Sequence, residues 1–143
     1  MNAGRAVLVL PIGAPHPDWF DEAVAAGVDV LALGPRRWLL CSDTQTGTEL
    51  TAAWQTRMAN VACVFEDAGD RFICLPVQAS ATRALSQQLL QPIDGLPVGS
   101  VVTTLLGAVP VVCRVGSSHV DVLVDRSLAH YARAWLQRTL ADT

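Results

Sequence analysis

Chemistry in a protein needs particular side chains at particular spacings, and this sequence supplies few of them. It has three histidines, His16, His119 and His130. None stands in HxH, HxxxH or HExxH spacing, the patterns that aim two imidazoles at one metal ion. Cys41, Cys63, Cys74 and Cys113 form no CxxC, and no two of them fall within ten residues. Each lies in an apolar or strand-like run, where a free cysteine acts as a small buried hydrophobe. Ser117 and Ser118 precede His119, but adjacent residues on a tight turn point apart and GxSxG is missing, so no nucleophilic serine is expected. Glu66, Asp67 and Asp70 crowd one turn without the spacing of a calcium loop, which reads as a solvated hairpin turn. The ten glycines never fall as GxGxxG, so a dinucleotide lacks its usual pyrophosphate turn. All ten basic residues are arginine, which excludes a P-loop lysine, a Schiff-base lysine and a Ser-Lys dyad. These patterns predict no catalytic, cofactor-binding or metal-binding residue.

One cluster suggests recognition instead. Arg36 and Arg37 stand immediately before Trp38. Arginine favours planar carboxylate or phosphate partners, and tryptophan is a frequent interface anchor. The triplet reads either as a strand edge with its charges in water or as a partner-binding surface.

The composition points the same way. The chain of 143 residues is 51% hydrophobic and 16% charged, with a mean hydropathy of +0.35. Soluble domains average about 25% charged residues. A single small domain with so few charges is expected to cover apolar surface with a partner. The net charge of −3 argues against a nucleic-acid footprint. No stretch approaches the ~20 apolar residues of a membrane span. Ala6–Leu10 is too short for a signal-peptide core and Pro11 breaks it, so the cytoplasm, with reduced thiols, is the expected compartment.

The elements that would carry these residues follow from periodicity and turn chemistry. Ala6–Ile12 reads as a buried strand. Asp18 is placed to cap a helix that ends near Gly27. Val28–Leu33 and Arg36–Cys41 read as strands joined at Gly34-Pro35. Thr46 and Glu49 form a capping box for a helix through Trp54 to Met58, and Val61–Phe65 reads as the next strand. This is the β-α-β-β-α-β order of a ferredoxin-like unit. The second half is expected to resemble the first. It reads as a strand over Arg71–Val77, a helix from Ser80 to about Leu90, strands over Val101–Leu106, Val109–Val115 and Val120–Val124, and a last helix capped by Ser127. The stripe Leu128, Tyr131, Ala132, Trp135, Leu136 and Leu140 predicts that Trp135 is buried beneath that helix. The fold class is α+β, with tandem ferredoxin-like units fused into one body over 1–143 and halves of about 1–68 and 69–143.

Three ordered segments carry a family resemblance. Gly34-Pro35-Arg36-Arg37-Trp38-Leu39-Leu40 is similar to the LGP-x-x-WLL stretch of sarcosine oxidase gamma subunits. Leu96-Pro97-Val98-Gly99, followed by Thr104-Leu105-Leu106-Gly107, resembles that family's PxG…TLLG segment, although Ser100 stands where the family commonly has Arg. Asp121–Tyr131 with Trp135-Leu136 resembles its terminal D-LLV-RSFA-Y…WL signature. The resemblance implies a fold related to the folate-binding domain of glycine-cleavage aminomethyltransferases. It also implies a heterotetramer that oxidatively demethylates an N-methyl amino acid, with transfer of one carbon to tetrahydrofolate or release of formaldehyde. In that scheme the alpha subunit holds NAD and tetrahydrofolate, and beta holds FAD. FMN lies between alpha and beta, and a delta subunit binds zinc. Gamma is accessory and non-catalytic and contacts alpha, and Arg36, Arg37 and Trp38 are its expected partner interface. The alternative is a stand-alone folate-binding aminomethyltransferase-like protein, in which Asp43 or Asp121 would have to face a pterin.

Overall fold

The structure is a computed structural model that describes residues 4–10, 20–60, 63–68 and 70–141. The chain divides into two compact units, Met1–Asp70 and Arg71–Thr143.

The first unit runs β1 (Arg5–Val9), α1 (Phe20–Ala25), β2 (Val28–Gly34), β3 (Arg37–Ser42), α2 (Gly47–Arg57) and β4 (Val64–Asp67). Its sheet has the order β2-β3-β1-β4, and every neighbouring pair is antiparallel. Alternation along the central strands sends Ala6, Leu8, Trp38 and Leu40 into one cluster with Ala23, Leu50, Trp54 and Met58 of the helical side. Val7 and Leu39, opposite each other in the ladder, point the other way and are also fully buried. A strand covered on both faces has to read as a continuous apolar run, which accounts for the unbroken run Ala6–Leu8.

Local signals set the ends of the helices. The Thr46 hydroxyl accepts the Glu49 N–H at 3.2 Å, so α2 starts where the capping pattern predicts. Gly27 ends α1 at φ +77°, the left-handed region that glycine enters without a Cβ clash. The expected cap Asp18 lies outside the described residues. β4 begins at Val64 rather than at Val61, and residues 61–62 also lie outside the described set.

The second unit runs β5 (Phe72–Gln78), α3 (Thr82–Ser86), β6 (Val101–Leu106), β7 (Val109–Val115), β8 (His119–Asp125) and α4 (Ala129–Leu140). One 3-10 turn precedes each helix. The strand order is β5-β8-β7-β6, again with every neighbouring pair antiparallel. This unit is therefore β-α-β-β-β-α and does not repeat the element order of the first. β6, β7 and β8 form a meander, and β5 adds to its far edge. Leu85, Leu106, Val122, Val124 and Ala132 sit at the centre of its core.

Three expectations for this unit are corrected. The helix from Ser80 stops at Ser86 and does not reach Leu90. Ser86 is buried, and its hydroxyl accepts the N–H groups of Ile93 at 2.7 Å and Asp94 at 3.1 Å and donates to the Asp94 carboxylate at 2.8 Å. Those bonds hold the loop after the helix and leave Leu89 to bridge Leu106 on β6. The second correction concerns the start of α4. Ser127 does not cap it; Asp125 caps the 3-10 turn Arg126–Leu128 that leads into α4, and its carboxylate accepts both the Ser127 N–H at 3.0 Å and the Ser127 hydroxyl at 2.7 Å. The third is Trp135, which is 36% exposed. Its indole lies over Gly107, where a Cβ would meet the ring at 3.0 Å, and its Nε1 donates to Gln88 Oε1 at 3.3 Å. Gly107 thus answers two demands, a φ of +59° in the β6–β7 turn and room for the indole.

The two tryptophans should separate in a denaturant titration. Trp38→Ala empties the core of the first unit and should cost about 3–5 kcal/mol. Trp135→Ala removes a half-covered ring and should cost about 1 kcal/mol. The reverse order would contradict the burial described here. Asp125 gives a pH test. The Ser127 hydroxyl and N–H bonds, aided by Arg71, hold its carboxyl below the usual value against the opposing effect of burial. A lowered folded pKa adds stability that is present above the unfolded value and lost as pH falls through the folded one. Asp125→Ala should cost about 1 kcal/mol at neutral pH. Its gap from the wild type should close as pH falls below about 3.9. A gap that does not change with pH would show that the carboxylate is not the cap.

Candidate functional site

The Arg36-Arg37-Trp38 triplet does not act as one surface. It enters β3, where successive side chains alternate in direction. Trp38 faces inward and is buried. Arg37 is exposed. Arg36 is half-buried and fastened to the end of β1, donating from Nε to the Leu10 carbonyl at 3.2 Å while its own carbonyl accepts the Leu10 N–H at 2.9 Å. Arg37 is the member of the triplet best placed to meet a partner.

Among the described residues, a group of polar side chains gathers at the start of β8. Gly116 donates its N–H to the His119 carbonyl at 3.0 Å and closes the turn between β7 and β8. That turn brings Ser118 Oγ to 2.8 Å from His119 Nδ1. The expectation that the serines point away from His119 is therefore wrong for Ser118. His119 and Asp121, two residues apart on one side of the strand, place Nε2 and Oδ1 3.4 Å apart. Arg114 stands opposite Asp121 in the β7–β8 ladder. A recess of about 320 Å³ is lined by Gly99, Arg114, Ser118, His119 and Asp121, among others. Its neighbour of about 630 Å³, between Pro76, Ser80 and His119, shares Ser118 and His119. The serine, imidazole and carboxylate are linked in series, but the His119 side chain is 48% exposed. Water around the imidazole screens the fields that make such a chain reactive in a closed site. Hydrogen bonding at a strand end accounts for the arrangement.

The remaining candidates are dispersed. His130 is exposed on α4, and its ring meets Tyr131 edge-on at 6.0 Å. His16 lies outside the described residues, as do the side chains of Glu66 and Asp67. Asp43 is exposed after β3. All four cysteines are free thiols. Cys41 and Cys113 are buried, and Cys63 and Cys74 are half-buried. Burial pushes the Cys113 thiol up to about 12 and raises that of Cys63 as well. Both shifts suppress the thiolate that a nucleophile or metal ligand requires. Among the described residues no three His, Cys, Asp or Glu side chains group so as to hold a metal ion, and no helix is long and apolar enough to cross a membrane.

No protein-family model matches the chain, and no curated protein matches it. A solved structure does. The heterotetrameric sarcosine oxidase of Corynebacterium sp. U-96, in complex with pyrrole 2-carboxylate, contains a chain that superposes with a TM-score of 0.77 at 19% sequence identity. The alignment covers 97% of this protein and 80% of that chain. The two chains share a fold.

Proposed function

We propose that this chain is an accessory, non-catalytic gamma-type subunit of a flavin-dependent, sarcosine oxidase-like complex. The observation that carries the reading is the shared fold over 97% of the chain with a chain of a heterotetrameric sarcosine oxidase. The three ordered sequence segments, which point to the gamma subunit, support it independently of the fold. The strand order β2-β3-β1-β4 over a β-α-β-β-α-β chain supports a ferredoxin-like first unit, and on this reading residues 1–143 act as one subunit domain. The complex is a cytoplasmic oxidoreductase in which a flavin held by the partner subunits would take two electrons and a proton, as a hydride equivalent, from an N-methyl amino acid, leaving an iminium. Its one-carbon unit passes to tetrahydrofolate or leaves as formaldehyde.

The cofactors belong to the partners, with NAD and tetrahydrofolate on an alpha-type subunit, FAD on beta, FMN between them and zinc on delta. Among the described residues, the starts of the two long helices do not fit a flavin or nicotinamide dinucleotide. A diphosphate favours a helix N-terminus with open N–H groups and no competing anion. Both long helices begin beside an acid, Glu49 in the first turn of α2 and Asp125 capping the turn before α4.

The test is to produce the chain together with its flavin-binding partner subunits and to measure stoichiometry and turnover for each variant. Alanine at His16, Glu66, His119, Asp121 or His130 should leave turnover within about tenfold, or about 1.4 kcal/mol of barrier. Arg37→Glu should weaken assembly without changing the turnover of the complex that does form. A variant that assembles fully yet loses a thousandfold in rate would identify a catalytic group in this chain and defeat the reading.

A further inference from the structure

We draw no further inference here: the strongest candidate, the exposed Tyr131–Trp135 face of α4, is an apolar helix face, and nothing in the structure shows what covers it.

Discussion

Strands covered on both faces constrain the rest of this molecule. Ala6, Val7 and Leu8 of β1, Trp38–Cys41 of β3, Val111–Cys113 of β7 and Val122–Val124 of β8 are consecutive residues, and all of them are buried. A charge inside such a run would lose its hydration, at a cost of several kcal/mol unless it gains a partner, and the one described charged residue buried beside these runs, Arg5, stands at the very start of β1. The low charge content of the sequence follows directly. So does the position of the polar side chains, which gather where the strands emerge. Arg37 begins β3, His119 begins β8 and Asp125 ends it. The Ser118–His119–Asp121 series sits at the open end of a strand for that reason, and the same position leaves it in water.

The sheet edges show a second constraint, because an exposed edge invites pairing with another chain. β5 is an edge strand and carries Pro76, which has no N–H to offer. β6, the opposite edge, is met by the segment after α3. Leu89 bridges Leu106, the Leu90 N–H bonds the Leu105 carbonyl, and Thr104 Oγ1 accepts the Gln91 N–H. Pro110 lies in the central strand β7 but one residue outside its ladder with β8, which begins at Val111. The short α3 and the Ser86 bonds that end it are what bring residues 89–91 to that edge.

Much of the fold was legible because buried strands and two-residue turns leave strong local marks. β6 and β7 have the bounds that their Val and Leu runs suggest, and Thr46 caps α2 through a pattern four residues long, Thr46 to Glu49. The misreadings share a cause. Leu85 and Leu89 are spaced four apart, which fits a helix, yet both reach the core around a bend that depends on Ser86 and the distant pair Ile93 and Asp94. The Trp135 stripe is helical, but its direction is set by Gly107 and Gln88, which lie 28 and 47 residues earlier in the chain. Trp38 read as a surface anchor because of its arginine neighbours, and strand alternation turned it inward. The approach of Ser118 to His119 depends on the turn that Gly116 closes, a tertiary detail that spacing alone does not carry.

On this account the chain contributes a folded surface, and the redox and one-carbon chemistry belongs to the subunits around it. The most direct test is equilibrium dialysis of the purified chain, alone and within the assembled complex, against FAD, FMN, NAD and tetrahydrofolate. The account predicts no stoichiometric uptake of any of the four by the chain alone and uptake by the complex. Stoichiometric binding by the isolated chain would contradict it, and tetrahydrofolate bound in the recess beside Arg114 and Asp121 would favour the aminomethyltransferase-like alternative.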